Sequence, residues 1–114
     1  MADKKGAAKG RKSRSPTILR AGDLRLNVKT HQVTTGDNTQ RLTPLECKLL
    51  ETFMRNRGRT LTHRFLIKEV WDTEFHGLKN SLQVHVCWLR RKIGDNVRSP
   101  KHIHTVHGIG YRFD

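Results

Sequence analysis

Residues 81–94 read SLQVHVCWLRRKIG. At helical spacing Leu82, Val86, Leu89 and Ile93 fall on one apolar stripe, which predicts a helix with one buried face. The other side carries Val84, Cys87, Trp88 and Arg91. Apolar side chains on the wet face of a small, highly charged chain mark a candidate binding surface. The helix is expected to begin near Lys79 or Asn80 and to stop at Gly94.

Upstream, the segment TPLE sets Thr43 at an N-cap, Pro44 at the first helical position and Glu46 three residues after the cap. That is a capping box with the favoured proline. Leu45, Leu49, Leu50 and Phe53 follow as one apolar face, and RNRG ends the helix at Gly58. Thr62 is placed to cap a second helix whose apolar residues are Phe65, Leu66, Ile67, Val70 and Trp71. DTEFHG, residues 72–77, reads as a loop. Downstream, DNVRSP is a second loop, and KHIHTV, HGIG and YRFD read as strand, glycine-bearing turn and strand. Gly108 and Gly110 suit a tight turn and close backbone approach.

Before Thr43 the grammar is different. TILR, DLRLNV, HQVTT and QRLT are short extended runs separated by turn signals. Leu24 and Leu26 alternate with Asp23, Arg25 and Asn27, the period of a half-buried strand. A small antiparallel meander is expected. Residues 1–16, MADKKGAAKGRKSRSP, carry no apolar period and are expected to be a disordered basic arm or linker ahead of one domain at residues 17–114.

The chain has 114 residues and a net charge of +13 with histidine neutral. Of this, +5 lies in residues 1–16 and +8 in the remainder, so the globular part is basic in its own right. Such a charge favours polyanion partners, nucleic acid first. No apolar run approaches the ~20 residues needed to span a bilayer, and residues 1–16, charged and without an apolar run, are not expected to be a secretory signal. The two cysteines, Cys47 and Cys87, show neither a disulfide framework nor zinc spacing. His102, His104 and His107 form H-x-H-x-x-H, but zinc takes about four ligands and no cysteine or acid lies nearby in sequence. No metal and no cofactor are expected. The acids are scattered, with no nucleophile–base pair and no phosphate-cradling loop, so an enzyme is not expected.

Two helices joined by a loop, the later one basic, followed by a hairpin, form a helix-turn-helix with a wing. LTPLECKLL, RTLTHRFLIKEVW, VHVCWLRRKIG and IHTVHGIGYRF, in this order and spacing, resemble the DNA-binding domain of the OmpR/PhoB family of bacterial response regulators. The resemblance covers about residues 17–114. It implies an α+β fold: a winged helix-turn-helix with an N-terminal four-stranded antiparallel sheet, three helices and a C-terminal β-hairpin wing. It implies sequence-specific binding of double-stranded DNA for transcriptional regulation, with residues 80–93 in the major groove and the wing, residues 102–113, at the minor groove. Gln83, Val84 and Trp88 would face base edges, and Cys87 and Arg91 share that outward face. Trp71, Asn80, Ser81, His85, Arg90, Thr105 and Tyr111 would lie near phosphates, as would Cys87 by the family pattern. His107, at the wing tip, would reach the minor groove.

The sequence departs from the common family pattern at Asn80, Cys87, Trp88 and His107, where arginines are frequent. The resemblance further implies a head-to-tail dimer on repeated sites, contact with RNA polymerase through residues 72–77, and a cytoplasmic, nucleoid-associated protein. No receiver-domain pattern is present, so the chain is either the effector part of a two-component regulator or a free-standing effector. A nonspecific architectural DNA binder and a basic RNA-binding protein are the competing readings. Their discriminants are the specificity ratio and preference for duplex DNA.

Overall fold

In the computed structural model, residues 17–73, 76–96 and 98–114 are described. The expected basic arm, residues 1–16, lies outside them, as do Glu74 and Phe75 of the 72–77 loop.

Four strands, β1 (Ile18–Ala21), β2 (Leu24–Asn27), β3 (Gln32–Thr35) and β4 (Asn38–Arg41), form an antiparallel meander in chain order. Leu26 pairs with Val33 and Leu24 with Thr35. Ala21, Leu24, Leu26 and Val33 are buried, while Arg25 points to solvent, which is the alternation read from the sequence. The buried face rests on helix α1 (Pro44–Arg55). The Thr43 hydroxyl accepts from the Glu46 amide at 3.2 Å, and Glu46 Oε1 accepts from the Thr43 amide at 2.9 Å, completing the capping box. The helix stops at Arg55, three residues before Gly58. Asn56 closes it by donating its side-chain amide to the Thr52 carbonyl at 2.8 Å.

Helix α2 (His63–Trp71) is capped by Thr62, whose hydroxyl accepts from the Phe65 amide at 3.0 Å. Leu66 and Ile67 are buried, and Val70 and Trp71 pack at the edge of the core. Phe65, read from the sequence as part of that apolar set, is 38% exposed. It lies one turn before Glu69, which is also exposed, so it belongs to the outer ridge of the helix. Asp72 ends α2 in the left-handed region, with φ of 55°. After a short 3₁₀ turn at His76–Leu78, helix α3 (Lys79–Lys92) begins. Its stripe of Leu82, Val86 and Leu89, continued by Ile93, is buried as expected.

Strands β6 (Ile103–Val106) and β7 (Gly110–Phe113) form the C-terminal hairpin. A third strand, β5 (Thr60–Thr62), is new relative to the sequence reading. It pairs with β7, giving the order β5-β7-β6. The hairpin is thereby hydrogen-bonded to the chain between α1 and α2. Phe113 stacks on Phe53 of α1 at 6.3 Å, and Tyr111 meets the same ring edge-on. Helix α1 thus packs against both sheets, and the architecture is the expected winged helix.

Candidate nucleic-acid interface

The burial stripe of α3 dictates what remains outside. Asn80, Gln83, Val84, Cys87, Trp88 and Arg91 are all exposed. Their spacing follows the helical repeat, so they form one continuous outer face. Lys79, Arg90, Arg91 and Lys92 are the charged residues of α3, which contains no acid. A helix of this diameter fits the major groove. All five residues expected to face bases, Gln83, Val84, Cys87, Trp88 and Arg91, lie on this face.

Residues expected near phosphates are distributed differently. Asn80 and Thr105 are exposed, Trp71, Ser81, His85 and Arg90 are half-buried, and Tyr111 is buried. His85 Nδ1 lies 2.7 Å from the Ser81 carbonyl oxygen. A carbonyl only accepts, so this nitrogen carries the hydrogen and Nε2 is left for other partners. The His85 ring stands edge-on to Trp71 at 5.5 Å and to Trp88 at 5.1 Å. Three rings from α2 and α3 therefore form a row ending in the exposed indole of Trp88.

Arg90 joins the helix to the wing. Its Nη2 donates to the Ile103 carbonyl and to the Thr105 hydroxyl, both at 2.9 Å. Its guanidinium carbon lies 5.9 Å from the centre of the Tyr111 ring, and its buried Nε has no partner among the described residues. Burial raises the pKa of the Tyr111 hydroxyl, against a smaller lowering by Arg90, so the phenol is neutral.

The wing tip is His107, Gly108 and Ile109, with His107 exposed. Gly108 has φ of +77°, which favours glycine. The Ile109 carbonyl accepts from the His63 amide at 3.1 Å, tying the tip to the first turn of α2. Of the three histidines, His102 Nδ1 is 2.9 Å from the Asp114 carbonyl and His104 Nε2 is 3.2 Å from the Asp114 carboxylate. No group of three or more metal-ligating side chains converges among the described residues.

Three contacts go beyond the sequence reading. Lys92 Nζ binds the buried Glu46 carboxylate at 2.8 Å. Arg90 reaches across to β6. Asp95 accepts from the amides of Asn96, Lys101, His102 and Ile103, at 2.6–3.2 Å, and so fixes the loop between α3 and the wing. Only Asp95 carries a sequence signal, an acid directly after the helix-ending Gly94 where side-chain acceptors cap turns.

Residues 37–113 match the family described as "Transcriptional regulatory protein, C terminal". The chain belongs to this family. It is of the OmpR/PhoB type. It is 40% identical over 100 residues to the sensory transduction protein RegX3 of Mycobacterium tuberculosis, covering 88% of this chain and 44% of RegX3. The regulatory protein VanR of Enterococcus faecium is 32% identical over 106 residues, covering 92% of this chain and 46% of VanR. The chain thus spans less than half the length of these curated relatives. Among solved structures, the DNA-binding domain of Klebsiella pneumoniae RstA, in complex with the RstA box, superimposes with a TM-score of 0.78 at 26% identity. That match covers 86% of this chain and 97% of the RstA domain. Among the described residues, no helix is long and apolar enough to cross a membrane.

Proposed function

We propose that residues 17–114 form a sequence-specific double-stranded DNA-binding domain of a transcriptional regulator. The observation that carries this reading is the outer face of α3, six exposed residues on an acid-free helix flanked by a wing. Helix α3 enters the major groove, where Gln83, Val84, Cys87, Trp88 and Arg91 meet base edges. Asn80, Ser81, His85, Arg90, Thr105, Trp71 and Tyr111 line its flanks and set its register on the phosphates. The wing brings His107 to the adjacent minor groove. Residues 1–16, with six basic residues and one acid, serve as a basic arm or linker ahead of the domain.

The chain is the effector part of a two-component response regulator, a reading supported by RegX3 and VanR, both longer than the region matched. It binds repeated sites as a tandem dimer, and residues 72–77 offer a surface to RNA polymerase. It works without cofactor or catalysis, in the cytoplasm on the nucleoid. Selection of binding sites from a random duplex library, followed by Kd measurement at physiological salt, tests this. A short repeated motif bound ~10³-fold or more over scrambled DNA is expected. Equal binding of all duplexes would leave an architectural role. Preference for structured RNA would replace the reading altogether.

A further inference from the structure

Val84 and Trp88 are 44% and 46% exposed. Leaving them in water forgoes the gain of burial. They are four positions apart, so they stand one above the other on α3, about 6 Å apart along its axis. Trp88 is also held in place. Its ring meets His85, which meets Trp71 and bonds to the Ser81 carbonyl.

The major groove presents one apolar feature, the C5-methyl group of thymine. Base steps are about 3.4 Å apart along one strand, so an axial separation of about 6 Å spans one to two steps. We infer that Val84 and Trp88 read the methyl groups of two nearby thymines, with His85 as the positioning residue that sets the indole. This rests on the DNA-binding reading above and deepens it. The operator is recognised at these positions through methyl groups, not through the donor–acceptor pattern a guanidinium would read.

The test uses the full chain and the operator recovered by site selection. Each thymine is replaced in turn by deoxyuridine, which removes the methyl and leaves every hydrogen-bonding atom. A buried methyl is worth about a three- to fivefold change in Kd. That loss is expected at two positions, with Trp88→Ala abolishing it at one and Val84→Ala at the other. Trp88→Ala gives up the ring contact with His85, so a small drop in its melting temperature is expected, with the variant still folded at the assay temperature. The thymine-to-uracil ratio is taken within each variant, so a general loss of affinity cancels, and His85→Ala is expected to bring the ratio at the Trp88 position towards one. Trp88→Arg should shift the base selected there from thymine to guanine. Equal binding of thymine and uracil operators at every position overturns the methyl reading alone. Uracil sensitivity that survives both alanine variants also overturns it. Selection that returns no motif overturns both readings together.

Discussion

Lys92, in the last turn of the candidate recognition helix, places its ammonium 2.8 Å from Oε1 of Glu46, the same oxygen that caps the first turn of α1. Glu46 is 2% exposed, and Lys92 also donates to the Arg41 carbonyl at 3.0 Å. One lysine therefore ties α3 to both the α1 cap and strand β4. Burial alone would raise the Glu46 pKa, but bonds from Lys92 and Thr43 outweigh it and hold it below the ordinary value.

Lys92→Met should cost about 1–3 kcal/mol, below the full penalty for breaking a buried pair because the lysine side chain is about a third exposed. Urea unfolding measures it. A midpoint unchanged from wild type would mean that the pair contributes nothing net.

The Asp95 carboxyl is raised by burial and lowered more strongly by the amides of Ile103, Lys101, Asn96 and His102, so its folded pKa lies below the ordinary value. Such a group binds fewer protons folded than unfolded. Its stabilisation is full above the ordinary carboxylate range and is lost as pH falls from about 4 through the folded pKa. The melting temperature should therefore fall with acid, Glu46 adding in the same direction. Asp95→Ala should lower stability by about 2–3 kcal/mol at pH 7 and flatten that acid dependence.

Gly110 lies where β7 crosses β5. A Cβ there would overlap the Leu61 carbonyl and come within 2.9 Å of the Thr62 Cα, both backbone atoms with little freedom to yield. Gly110→Ala should cost about 2–4 kcal/mol, in the range of other steric insults to a packed core. Because Leu61 and Tyr111 pair across this contact, loss of β5–β7 protection in amide exchange is the accompanying sign.

Arg90 bonds to Ile103 and Thr105. Arg90→Met should therefore weaken both folding, by about 1–2 kcal/mol, and DNA affinity, across all sequences alike. A change confined to one base position would assign Arg90 a reading role instead.

His107 is exposed at the wing tip, and the wing reading places it at the minor groove. His107→Ala should therefore weaken operator binding without changing the melting temperature. Operator affinity equal to wild type would remove His107 from the groove.

Much of this was legible locally. The Thr43–Glu46 box, the Thr62 cap and the Leu82–Ile93 stripe are written within one or two turns of helix, and the structure has all three. Strand β5 was not, because three residues carry no period and Thr60–Thr62 is a strand only through pairing with Gly110–Arg112. Phe65 misled because a lone aromatic beside Leu66 reads as core until the helix phase is known. In the candidate site, the outward residues follow from the buried stripe. The Trp71–His85–Trp88 row does not, since it depends on how α2 sits against α3.

Strand β7 is the middle strand of its sheet, and its partner β5 lies fifty positions earlier, Leu61 against Tyr111. Both α2 and α3 sit inside the loop that this pairing closes. Closure of so long a loop carries an entropic cost that short-range helix and hairpin formation does not. The meander and the individual helices should therefore assemble early, and docking of β7 on β5 is expected to set the folding rate. Variants at Leu61 or Tyr111 should slow refolding as well as weaken the native state, while variants on β4 should act mainly on unfolding.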